Sequence, residues 1–144
     1  MIKIGVIVAY MTKKQSAKLL QVCKKHGFQF CILFGSSANK ALKKHKRDYD
    51  LAFYSGKNIP GKIKFTLIEE LQSFFDKPID ITLIQPLGDP LLTYEVSTKG
   101  NLICEVKKDS YLEFQGRAWK DYLDSQRYRD YEKEYIKKKV KNVS

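Results

Sequence analysis

The sequence predicts an α/β (α+β) fold, a small mixed β-sheet with flanking helices and a long C-terminal helix. Three observations carry this reading. Short apolar, β-branched and aromatic runs alternate with amphipathic helical segments between residues 14 and 106. Two of those runs, Asp48 to Tyr54 and Ile79 to Ile84, put apolar side chains on one face and carboxylates on the other. From Asp109 to about Lys139 a single helical pattern continues, with a break expected near Gly116.

A length of 144 residues suits one domain over residues 1–144, with a core over about 14–106 and a helical segment over about 109–140. Hydrophobic residues make up 43% of the chain, which excludes a disordered polypeptide. No run approaches the ~18 apolar residues that cross a membrane. Met1 to Tyr10 lacks the plan of a signal peptide, so a cytoplasmic location and no membrane partner are expected. Cys23, Cys31 and Cys104 sit in apolar segments without metal-ligand spacing and read as reduced core thiols. The net charge of +11 points to a polyanionic partner or substrate. Much of it is concentrated at Lys40, Lys43, Lys44, Lys46 and Arg47, and again at Lys137, Lys138, Lys139 and Lys141.

Taken in order, residues 2–10 read as a short strand, with a helix over the same residues as the alternative. Residues 14–26 form an amphipathic helix, capped by Thr12 or Ser16 and ended by Gly27. Phe28 to Phe34 is a buried strand. Ser37 to Leu42 is a short helix or loop before the basic segment. Asp48 to Tyr54 is a strand with Tyr49, Leu51 and Phe53 on one face, and Ser55 to Gly61 is a turn. Residues 62–75 form a helix, with Pro78 as its stop. Ile79 to Ile84 is the next strand. Asp89 or Pro90 starts a helix to about Thr98, Lys99-Gly100-Asn101 turns the chain, and Leu102 to Val106 is a short apolar strand or edge. His26 is a helix C-terminal residue and His45 a loop residue; neither has partners at the spacing of a nucleophile or zinc site. Trp119 and the tyrosines of the last helix read as a packing face ahead of a base-stacking platform, and no RNA-binding or zinc-finger signature appears.

The chemistry concentrates in one stretch. A hydrophobic strand delivers Gly35 and Ser36, and after eleven intervening residues come Asp48 and Asp50. Carboxylates two apart on a strand point the same way. They repel each other unless a cation lies between them. Mg²⁺ suits oxygen ligands and is commonly held by one or two carboxylates together with substrate phosphates. A Gly-Ser turn before a helix N-terminus offers backbone N–H groups to such phosphates. Asp80 lies opposite the apolar face of a later strand and comes within reach of the same cation if the two strands are neighbours. These are the parts of a phosphoryl- or nucleotidyl-transfer site.

This arrangement resembles the nucleotidyltransferase fold of polymerase-β-like enzymes, and specifically the minimal nucleotidyltransferase (MNT) family. The residues that carry the resemblance are Leu33-Phe34-Gly35-Ser36-Ser37-Ala38, Asp48-Tyr49-Asp50-Leu51 and Ile79-Asp80-Ile81, spanning roughly residues 28–84. It implies catalysis with two Mg²⁺ ions. Asp48 and Asp50 would hold the ion that carries the nucleoside triphosphate, and with Asp80 the ion that activates the attacking hydroxyl. Gly35 and Ser36 would hold the β- and γ-phosphates of ATP. Many members have Arg directly after the Ala of the turn motif; this chain has Asn39 and then Lys40, so Lys40 is the candidate for that phosphate contact.

Small stand-alone members of the family serve as antitoxins in HEPN–MNT toxin–antitoxin systems, adenylylating a tyrosine of an all-helical HEPN ribonuclease toxin. The resemblance thus implies a Mg²⁺-dependent protein adenylyltransferase with ATP as substrate and a HEPN toxin as partner in a hetero-oligomer. The tyrosine face of the last helix would be its docking surface. Two alternatives compete. A small-molecule nucleotidyltransferase usually needs an added acceptor-binding domain, and a +11 chain would repel cationic antibiotics. A non-catalytic antitoxin, or a nucleic-acid binder, is opposed by the intact three-carboxylate set; a nucleic-acid partner is therefore the less favoured one.

Overall fold

The structure is a computed structural model in which residues 11–34 and 48–143 are described. The strand expected over 2–10 and the segment Ser37 to Leu42 lie outside the described residues, as does His45.

Helix α1 (Lys13–His26) begins at a capping box, in which the Thr12 hydroxyl accepts from the Gln15 N–H and the Gln15 side chain accepts from the Thr12 N–H. That reciprocal pair decides between the two expected caps in favour of Thr12. Gly27 closes the helix at φ 76°, a left-handed conformation that glycine adopts without strain. Leu19, Val22 and Cys23 are its buried face.

Strands β1 (Phe30–Phe34), β2 (Tyr49–Tyr54), β3 (Ile79–Ile84) and β4 (Asn101–Glu105) form one mixed sheet in the order β3-β2-β1-β4. β1 is antiparallel to both β2 and β4, whereas β2 and β3 are parallel. Parallel neighbours need a crossover connection. Helix α2 (Ile63–Leu71) supplies it, burying Leu67 and Leu71. This helix is shorter than the expected 62–75. It tightens into a 3-10 turn at Gln72–Phe74, and Phe75 is already extended. The Gln72 side chain donates to the Lys77 carbonyl and accepts from the Ile79 N–H, satisfying the backbone of the segment that Pro78 forces out of helical geometry.

Helix α3 (Pro90–Lys99) starts at Asp89, whose carboxylate accepts from the Leu91 N–H, with Pro at the first helical position. Helix α4 (Ser110–Val143) runs for 34 residues, about 51 Å at 1.5 Å per residue. It passes through Gly116 without the expected break. Phe114 and Ala118 on either side are buried against the core, and that packing outweighs the roughly 1 kcal/mol that glycine costs a helix.

The sheet separates two apolar layers. On one face α1 and α2 pack over Cys31, Leu33, Tyr49, Leu51, Phe53, Ile79 and Ile81. On the other, α3 and the start of α4 cover Phe30, Ile32, Ala52, Tyr54 and Ile84. Cys23, Cys31 and Cys104 are free and buried, with 3.8 Å between the sulfurs of Cys23 and Cys104, as expected for core thiols. No helix among the described residues is long and apolar enough to cross a membrane.

Candidate active site

The β2–α2–β3 crossover sets the geometry of the site. In the parallel register Asp50 pairs with Asp80, and Tyr49 with Ile79. Paired residues on neighbouring strands project to the same side, so the two carboxylates leave the same face of the sheet. Asp48 stands two residues before Asp50, immediately ahead of β2. On the other flank Phe34, the last residue of β1, pairs with Asp50. Gly35 and Ser36 follow Phe34 directly in the sequence. Gly35, Ser36 and Lys40 themselves lie outside the described residues.

Electrostatics agrees with the register. Partial burial pushes the Asp50 carboxyl up from its ordinary value, and the negative charges of Asp80 and then Asp48 push it further. Each of these effects disfavours the ionised form of Asp50, and a cation would reverse the last two. The donors are all carboxylate oxygens, which suits a hard divalent ion such as Mg²⁺. Among the described residues no three acidic, His or Cys side chains already converge as a ligand cluster. The donor set therefore fits the ion in chemistry, and Asp50 and Asp80 share one face of the sheet, but the three carboxylates do not converge as a ligand set.

Sequence reasoning missed Lys64. Its ammonium, from the first turn of α2, lies 3.9 Å from an Asp80 oxygen. The pair is long and largely exposed, so it adds little stability. It does place a positive charge beside the third carboxylate. No periodicity or motif could have announced this, because the contact depends on how α2 crosses between the strands. His26 is the last residue of α1 and lies 3.2 Å from Glu70, away from the carboxylates. Tyr49 faces away from the site, donating its hydroxyl to Asp76 at 3.0 Å.

The tyrosines of α4 divide. Tyr111 packs edge-on against Phe30, and Tyr122 stacks on Tyr94 with 3.9 Å between ring centroids. Trp119, Tyr128, Tyr131 and Tyr135 are exposed, so within this chain they are not a packing face.

The family model for polymerase beta nucleotidyltransferases matches residues 17–109. Comparison with curated proteins found no match. Among solved structures, the chain is similar to a toxin–antitoxin MntA–HepT complex at 18% identity, covering 87% of this chain and 98% of that one, with a TM-score of 0.65. It is similar to a toxin–antitoxin structure with AMP-PNP at 18% identity, covering 84% and 97%, with a TM-score of 0.66. A third is the tri-AMPylated Shewanella oneidensis HEPN toxin in complex with MNT antitoxin, at 20% identity, covering 88% and 98%, with a TM-score of 0.65. At these identities the likeness is one of fold.

Proposed function

The chain belongs to the polymerase β nucleotidyltransferase family, and on that premise we propose that it transfers AMP from ATP to a tyrosine hydroxyl of a HEPN toxin and so acts as that toxin's antitoxin. The observation that carries the reading is the register pairing of Asp50 with Asp80, with Asp48 two residues away, in a chain of this family. A protein acceptor and a toxin partner are supported by the likeness to MNT antitoxins, one of them in complex with a tri-AMPylated HEPN toxin.

In this reading Asp48, Asp50 and Asp80 would hold two Mg²⁺ ions. Once bound, Mg²⁺ neutralises phosphate charge and lowers the pKa of the attacking hydroxyl. Gly35 and Ser36 hold the β- and γ-phosphates, and Lys40 adds a cationic contact. The acceptor oxygen attacks the α-phosphorus, the bond to the β-phosphate oxygen breaks, and pyrophosphate leaves. Burial and the neighbouring carboxylates raise the Asp50 carboxyl, and a bound cation would counter the neighbours' contribution.

The test is incubation with Mg²⁺ and ATP labelled at the α-phosphate, with and without a HEPN protein, taken from an adjacent gene if one is encoded there, followed by intact-mass analysis. The expected result is a gain of AMP units on the HEPN protein that the Asp48→Ala/Asp50→Ala variant does not produce. A HEPN protein of unchanged mass, under conditions where ATP is bound, would remove this acceptor.

A further inference from the structure

Helix α4 outruns the body it packs on. Every described side chain beyond Arg129 is exposed. Along this helix Arg117, Asp121, Asp124, Tyr128, Tyr131, Tyr135 and Lys138 follow an alternating 4-3 spacing, which keeps them on one line. Tyr128 is 79% exposed, Tyr131 76% and Tyr135 56%. Three exposed tyrosines in a heptad seam are the pattern of a helix that packs against another helix.

The seam starts at a cavity. A hollow of about 340 Å³ opens where Arg117 and Asp121 pass over the ends of β2 and β3. Tyr54 and Phe114 form its apolar wall, and Leu87, 97% exposed, stands at its rim. Arg117 donates to the Tyr54 hydroxyl at 3.1 Å, which fixes the guanidinium in the wall. The hollow has room for one large anchoring side chain, the usual centre of a protein interface. It also shares a sheet face with the carboxylates, because Asp50, Ala52 and Tyr54 alternate onto that face, and Tyr54 is about 13 Å from Asp50 along the strand.

Charge selects the occupant. Residues 127–143 carry seven basic side chains against three acidic ones, and Arg127 and Lys138 lie beside the tyrosines. A second copy of a +11 chain is disfavoured by repulsion. A nucleic acid running along the whole seam would meet Asp121 and Asp124, whereas a helix can confine its acidic side chains to the stretch over residues 127–143. We infer that the Tyr128–Tyr131–Tyr135 seam, with the cavity at its base, docks an acidic amphipathic helix of the protein acceptor and seats one of its side chains under Arg117. This rests on the proposed function, since it takes the acceptor to be a helical protein. A partner held there lies alongside the carboxylate face.

The test compares the full chain with Tyr128→Ala/Tyr131→Ala/Tyr135→Ala and with Leu87→Asp, using the HEPN protein of the transfer assay as probe in calorimetry and ATP binding as the fold control. All the substituted positions are exposed. The expected result is a Kd for the HEPN protein raised at least about 100-fold in the triple variant and about 10-fold in Leu87→Asp, with ATP binding unchanged; 100-fold corresponds to about 2.7 kcal/mol. Arg127→Glu/Lys138→Glu is expected to weaken binding more at low than at high salt. Equal affinity of the triple variant overturns the surface and leaves the proposed function standing. No binding by the unaltered chain overturns both. Loss of a self-associated species, or of binding to a 20-nucleotide single-stranded RNA, in the triple variant with HEPN binding retained would reassign the seam to a second copy or to nucleic acid.

Discussion

Asp50 and Asp80 face each other across parallel strands, as Cα partners in the β2–β3 register. Two like charges in that relation cost the fold stability, and a cation between them would relieve the cost. The cost and its relief can be measured separately.

Asp50→Asn is expected to be more stable than the unaltered chain when divalent ions are chelated. The sign follows from the raised Asp50 carboxyl. A folded-state value above the unfolded one means that the native state binds more protons, so stability falls as pH rises from the ordinary carboxylate range through the folded value. The advantage of Asn should therefore be full at neutral pH and vanish as pH drops to about 4. Thermal melts in EDTA across that range check this; an advantage that persists at low pH would contradict it. The same substitution should cost at least about 100-fold in AMP transfer, about 2.7 kcal/mol of barrier.

Addition of Mg²⁺ should raise the melting temperature of the unaltered chain and leave that of Asp50→Asn/Asp80→Asn unmoved, since a ligand stabilises only the state that binds it. Equal stabilisation of both would place the ion elsewhere.

Lys40→Ala is expected to raise the Kd for ATP several-fold by calorimetry, because the Arg common at the preceding position in the family is Asn39 here. Unchanged affinity would remove Lys40 from the phosphate site.

Glycine substitutions should diverge in sign. A Cβ at Gly100 would lie 2.4 Å from Ile32 Cγ2 and 2.5 Å from the Val96 carbonyl oxygen, so Gly100→Ala should destabilise by about 3 kcal/mol. At Gly116 a Cβ meets nothing within 4 Å, and Gly116→Ala should stabilise α4 by about 0.5–1 kcal/mol. Urea unfolding of the two variants tests both, and a stable Gly100→Ala would show that α3 can slide away from β1.

Glu105→Ala should cost about 2 kcal/mol. The buried carboxylate accepts from the Asp109 and Tyr111 N–H groups at 3.1 and 3.0 Å and so caps the start of α4. Urea denaturation measures the loss, and Gln at this position should recover part of it.

Local pattern was enough for much of this molecule. Alternation placed Tyr49, Leu51 and Phe53 on one face of β2, opposite Asp48 and Asp50. Thr12 and Gly27 marked the ends of α1, and Asp89-Pro90 marked the start of α3. These signals survive in one dimension because they depend on neighbours within four residues. The end of α2 and the continuity at Gly116 did not follow the same signals, because the Gln72 side chain bonding and the packing of Phe114 and Ala118 overrode them.

What the sequence determined by itself was the periodicity of each element and the identity of the carboxylates, since both are properties of short stretches of chain. The tertiary structure decided that β2 and β3 are parallel neighbours in a register that pairs Asp50 with Asp80. It also brought Lys64 beside Asp80, seated Arg117 on Tyr54, and left Tyr128, Tyr131 and Tyr135 outside the core. Each of these depends on contacts between residues far apart in the chain, and the crossing of α2 and the reach of α4 set those contacts through burial on two faces of one sheet.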